Sequence, residues 1–257
     1  MLLLISPAKT LDFENPLPEN ARSFAATAPH FLKEAGALAE ILKKYSAEDL
    51  AALMKISPKL AELNAARFAA WSPESQNSRP ALFAFNGDVY EGLNAKTLQN
   101  LDFAQNHLLI LCGLYGVLKP LDSILPYRLE MGVPLKNPAG KDLYAFWNRK
   151  ISKFIDDSAK KINAKFILNL ASNEYFKSAK SLKTPTIQCV FEDEKNGNFK
   201  IISFLAKRAR GLMARFVIEN KITNPADLRD FCAEGYKFFD APTAQLLIFR
   251  RNENARP

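Results

Sequence analysis

Histidine and cysteine are both scarce in this chain of 257 residues: two histidines, His30 and His107, and three cysteines. With so few imidazoles and no clustered thiols, a zinc site or an iron-oxidising centre has no ligand set to draw on, and no metal is expected. Cys112, Cys189 and Cys232 are odd in number and widely spaced, without a C-x-x-C pair, and so read as reduced thiols. Cys112 and Cys189 fall in apolar runs, which predicts inert buried groups; a peroxide-reactive thiol needs exposure and a neighbouring positive charge. The opening "MLLLIS" is too short to span a bilayer, has no positively charged leader and runs into "PAKTLDF" without a small-residue cleavage site. A cytoplasmic protein with no membrane partner is expected. Neither G-x-G-x-x-G, nor a Walker A loop, nor G-x-S-x-G occurs, so the sequence points to no cofactor and no familiar nucleophile motif.

Acidic residues are also in deficit: 27 Asp and Glu stand against 35 Lys and Arg, a net charge of +8. Such an excess favours nucleic acid, anionic membranes or phosphorylated ligands as partners.

The hydrophobic share of 48% supports a large core, and no linker or repeat divides the chain, so residues 1–257 read as one domain and a monomer. Apolar runs of strand length recur in "LLLIS", "ALFAF", "HLLILC", "KFILNLA", "TIQCVF", "NFKIISF" and "AQLLIFR". Helical patterns lie between them at residues 30–44, 47–55, 58–70, 142–161 and 206–221. The fold class is therefore α/β, a mixed central sheet with flanking helices. Asn196-Gly197 marks a hairpin. Ser46 with Asp49 predicts a capping box, and Ser57-Pro58 a second helix start, so that residues 47–71 form a helical hairpin.

Three groups of residues are candidates for function. In the helix over 206–221, Lys207, Arg208, Arg210 and Arg215 form an outer basic stripe that is either a solvated face or a grip on phosphate or carboxylate. Gly211 marks a close approach by a ligand or another backbone. In the helical hairpin, Lys55 and Lys59 flank the connector as DNA-binding hairpins require, although the usual Gly-x-Gly is absent; packing of the hairpin on the sheet is the alternative. The third group follows the strands: Ser6 and Lys9; Asn86, Asp88 and Tyr90; Asn169, Ser172 and Glu174. With Gly113, Tyr115 and Gly116 after "HLLILC", four loops at the carboxyl ends of strands suggest a shared pocket, where Lys9, Arg128 and Arg210 hold an anion and Glu130, Glu174 or Asp88 serves as acid or base. Ordinary turn chemistry explains the same residue types. Arg128 and Glu130, set among apolar residues, are expected to be ordered.

The phrases "LLISPAKTLDF", "FNGDVYEGL", "GLYGVLKPLDSILPYRLEMG", "NLASNEYFKS" and "DEKNGNFKIISFLAKRARGLMARFVIEN" resemble the YaaA family of bacterial peroxide-stress proteins, from Met1 to about Tyr236. The resemblance implies a protein of the hydrogen peroxide response that limits oxidative DNA damage and free intracellular iron. It also implies a one-domain fold with a helix-hairpin-helix-like element and a basic cleft for double-stranded or distorted DNA. Carried onto this chain, the hairpin is "LMKISPKLAELNAARF" and the cleft draws on Lys9, Lys207, Arg208 and Arg210. Two functions stay open: DNA binding, or an enzyme acting on a nucleotide-like or other anionic small molecule.

Overall fold

The structure is a computed structural model and describes residues 1–256. Eight strands form the main sheet: β1 (Leu2–Ile5), β2 (Leu108–Cys112), β3 (Gly116–Leu118), β4 (Ile167–Asn169), β5 (Thr186–Lys195), β6 (Asn198–Lys200), β7 (Lys237–Thr243) and β8 (Leu246–Arg251). Their order is β7-β8-β5-β4-β1-β2-β3, with β6 paired to the far end of β5. The five inner strands run parallel, and β3, β6 and β7 join antiparallel.

Every residue of β1 and β2 is buried, as a central parallel strand covered on both faces must be, and this is why both read as unbroken apolar runs. β5 and β8 instead alternate, burying Ile187, Cys189, Phe191, Leu247 and Phe249 and turning the intervening residues outward. Between them lies a buried charge pair, Arg251 Nε to Asp193 Oδ1 at 2.7 Å, whose second carboxylate oxygen accepts from the Tyr236 hydroxyl at 2.7 Å. A pair this enclosed needs those extra hydrogen bonds to offset its desolvation.

The main helices are α1 (Leu32–Leu42), α2 (Ala47–Met54), α3 (Pro58–Ala69), α4 (Asp88–Leu93), α5 (Leu101–His107), α6 (Leu143–Trp147), α7 (Lys150–Lys161) and α8 (Ser203–Glu219). The hairpin α2–α3 forms with its capping box intact: Asp49 N donates to Ser46 Oγ and Ser46 N to the Asp49 carboxylate. Lys55 closes α2 in the left-handed region at φ 54°. Ser57 precedes α3 but makes no side-chain cap, contrary to the sequence expectation. The Asn196-Gly197 turn takes positive φ at both residues, 54° and 75°.

Three other expectations are corrected. "ALFAF" is a single helical turn (Ala81–Ala84) ahead of a two-residue strand, because a short, wholly buried apolar run has no period to separate the two states. The helix expected over 142–161 is two helices, broken where Asn148 takes φ 42°, ψ −118°. The strand expected in "NFKIISF" ends at Lys200, and Ser203 already belongs to α8.

α8 packs across β1 and β5 and crosses α4 at very short range. At the crossing both helices carry glycine. A Cβ on Gly211 would stand 1.9 Å from Val89 O, and one on Gly92 2.1 Å from Arg208 O. The close neighbour marked by Gly211 is thus a backbone. Among the described residues no helix is long and apolar enough to cross a membrane.

Candidate functional site

From β1 the chain passes to β2 and β3 on one side, then returns to place β4, β5 and β8 on the other. The crevice between β1 and β4 is therefore the switch point of the sheet, where carboxyl-end loops part and ligands of open α/β sheets collect. Ser6 follows β1 and Ser172 follows β4. Ser172 N donates to Ser6 Oγ at 2.8 Å, and the two hydroxyl oxygens lie 3.4 Å apart. The Tyr90 hydroxyl, from α4, donates to Ser6 O at 3.2 Å. Asn169 ends β4 and its side-chain oxygen accepts from Ala171 N at 3.0 Å, shaping the loop that carries Ser172.

A charged ladder continues from this crevice. Lys9 Nζ lies 3.2 Å from Glu130 Oε2, and Arg128 Nη2 lies 2.8 Å from Glu130 Oε1. The second contact brings the charges together without the alignment of a hydrogen bond, and Arg128 Nε is buried with no acceptor. Glu174 Oε1 accepts from Gly132 N at 2.8 Å, and the Tyr144 hydroxyl donates to Glu174 O at 3.0 Å. Gly113 makes this approach possible: a Cβ there would meet Leu129 O at 2.2 Å, so only glycine at the end of β2 lets the Arg128–Glu130 segment lie against the sheet.

Beneath the crevice the phenols of Tyr90, Tyr127 and Tyr175 surround Cys112, whose Sγ is 2.6 Å from the Tyr127 hydroxyl. Burial raises all three phenols and pushes the Cys112 thiol up to about 11. Burial also raises Cys189, and both thiols are buried as expected. Trp71 and Trp147 are core residues: their ring nitrogens donate to the Tyr115 hydroxyl and Gly113 O.

The structure thus gathers Ser6, Tyr90, Asn169, Ser172, Lys9, Arg128, Glu130 and Glu174 along one sheet edge. Other candidates lie elsewhere. Asn86 is exposed and lines, with Asp12, Tyr90 and Asn94, a neighbouring cleft of about 280 Å³. Asp88 faces Lys207 Nζ at 3.8 Å.

The basic stripe on α8 needs revision. Arg208 Nε donates to Glu234 at 3.0 Å, a contact that raises its pKa, and Glu91 lies 3.9 Å away. Arg215 reaches Leu93 O, Asn94 O and Thr97 Oγ1 as well as Glu219. These two arginines tie α8 to its neighbours. At about 100° per residue Arg210 falls between Val217 and Ala214, both buried, so it belongs to the sheet-facing side and not the outer stripe. Desolvation lowers its pKa, and it makes no ion pair among the described residues. It nevertheless remains cationic.

Lys55 and Lys59 are exposed, and neither takes part in any ion pair among the described residues. A second cationic feature escaped sequence reasoning. α7 and the segment leading into α1 border a groove of about 560 Å³ lined by Lys150, Lys153, Lys160 and Lys161 together with His30 and Phe154. The signal was available in "KISKFIDDSAKK", where lysines recur along one face of an amphipathic helix. Among the described residues no three His, Cys, Asp or Glu side chains group as a metal site.

The sequence matches the family described as peroxide stress protein YaaA over residues 1–241. A UPF0246 protein of Bordetella petrii is 52% identical over 258 residues, covering 98% of this chain and 99% of its own. UPF0246 proteins of Paracidovorax citrulli and Aliivibrio fischeri are 52% and 49% identical over 260 residues, each covering 98% of this chain and 99% of its own. A family match that runs through nearly every element of the sheet, and relatives collinear over their full length, settle the kinship: the chain belongs to the YaaA family of peroxide stress proteins.

Proposed function

We propose that, within the peroxide response, this protein binds double-stranded or distorted DNA through its phosphates, without reading bases, and so limits oxidative damage and the iron held at the backbone. The observation that carries this reading is the lysine-lined groove. Of the groove's four lysines, Lys150 is 3.1 Å from Glu34 and Lys153 is 2.6 Å from Asp157, while Lys160 and Lys161 make no ion pair among the described residues. His30 and Phe154, with ring centroids 4.5 Å apart, add flat surface beside those charges. α1 links this groove to the helical hairpin: residues at its start line the groove, and its body packs against α3. Lys55 and Lys59 then extend the cationic surface.

Four unspent lysines that each displace a counterion give a log-log salt slope of about −3 to −4. Fluorescence anisotropy of a labelled duplex and of a bubble across a salt series tests this. Replacing Lys160 and Lys161 together by alanine is expected to weaken binding to both and to lower the slope by about 2. Salt-independent binding, or an unchanged slope in the double variant, refutes the reading.

A further inference from the structure

We propose that the crevice between β1 and β4 binds the phosphate group of a small molecule, at a site distinct from the DNA-binding surface. Position is the first argument, since the crevice lies at the carboxyl ends of the two strands where the sheet changes direction. The donors there are incompletely used. The Ser6 hydroxyl oxygen accepts from Ser172 N, yet its own proton faces only Ser172 Oγ at 3.4 Å, a long contact that a ligand oxygen readily replaces.

Charge is the second argument. Lys9 and Arg128 share the single carboxylate of Glu130, which leaves one positive charge in the ladder. Arg128 Nε is buried without an acceptor, a costly arrangement that an incoming oxyanion relieves. Arg210, on the face of α8 that packs on β1, is a further desolvated guanidinium with no ion pair among the described residues. With Glu174 counted, three cations stand against two carboxylates. A phosphate monoester, with three acceptor oxygens, meets the open guanidinium and hydroxyl donors there more fully than a lone carboxylate with two does. Lys9 is 63% exposed while Arg128 is 16% exposed, so the ligand enters past Lys9 and its phosphate settles against Arg128.

The same phosphate chemistry is present at the end of a DNA strand, so the test includes both sources. Isothermal titration of the wild type uses inorganic phosphate, adenosine monophosphate, and a short duplex with or without a 5′-phosphate. The variants are Arg128→Gln, Arg210→Gln and the surface change Lys9→Gln, which leaves the core untouched and so keeps the test valid if an arginine variant fails to fold. Saturable binding of phosphate and the nucleotide is expected, weakened about tenfold or more in each variant, while the Lys160/Lys161 double alanine variant binds both as wild type does. Conversely, Lys9→Gln is expected to leave the salt slope for duplex DNA unchanged, so loss of one activity does not imply loss of the other. Absence of saturable binding by phosphate and the nucleotide, binding only of the 5′-phosphorylated duplex, or wild-type affinity in all three variants overturns the proposal.

Discussion

Replacing Gly211 by alanine tests the packing that brings α8 and α4 together, and helix propensity gives the opposite expectation. In an isolated helix the exchange adds about 1 kcal/mol, because glycine is the poorer helix former. At Gly211 the new Cβ would lie 1.9 Å from Val89 O and 2.7 Å from Leu93 N, both backbone atoms that no rotamer change can move. The first contact is roughly 1 Å inside any ordinary carbon–oxygen approach, so the helices must separate along their crossing. Overpacking of this kind costs about 1–3 kcal/mol and sits at the upper end when backbone must shift. After the propensity gain, a net loss of about 2 kcal/mol remains, or a melting temperature lower by about 4–8 °C for a domain of this size. Gly36 in α1 supplies the contrast: a Cβ there meets the Trp71 ring at 3.4 Å, an ordinary contact. Gly36→Ala is therefore expected to stabilise by up to about 1 kcal/mol. Thermal denaturation followed by circular dichroism reads both signs. If Gly211→Ala melts at or above the wild type, the close crossing does not constrain the fold as argued.

Two further outcomes follow from burial of titratable groups. Because burial lifts Cys112 to about 11 and raises Cys189 further, neither thiol is expected to react with a maleimide or with hydrogen peroxide near neutral pH, whereas exposed Cys232 is labelled; mass spectrometry that finds Cys112 modified in the folded protein contradicts this. Burial holds His107 below its ordinary value of 6.5, while its Nδ1 lies 2.8 Å from Met1 O and its ring stacks on Phe103. The unfolded chain then binds the extra proton first, so this contribution to stability is complete above pH 6.5 and declines as pH falls below it. Urea midpoints measured between about pH 5 and 7.5 should show a shallower pH slope in His107→Gln, and an identical slope shows that His107 is not the group responsible.

The sequence was most legible where one local signal sufficed. "LLLIS" and "HLLILC" became β1 and β2 because strands buried on both faces leave continuous apolar runs, and Ser46 with Asp49 formed the cap their chemistry requires. β3 and β7 were not foreseen: one is three residues long, and the other is an edge strand with register shifts at Asp240 that blur its alternation. Ser6 meets Ser172 and Tyr90 through hydrogen bonds, and Asn169 shapes the loop that carries Ser172; the ends of strands bring such residues near one another. The angular position of Arg210 was legible as well, but a charged residue is read as solvent-facing by habit, and only packing shows it turned toward the sheet. The fate of Arg208 depended on Glu234, which lies 26 residues further along, and no local pattern announces such a partner.

β5 meets three partners in succession along its length: β4 near its start, β8 through its middle and β6 at its end. It acts as a splint joining β4 and the strands beyond it to the carboxyl-terminal β8 and β7. The family match stops at residue 241, inside β7, while the UPF0246 relatives align over 98% of the chain; β8, beyond that limit, is wedged between β7 and β5. Trimming the chain at residue 241 would strip β5 of a whole flank, orphan Asp193 from Arg251, and leave a sticky seam along which one molecule could zip onto the next.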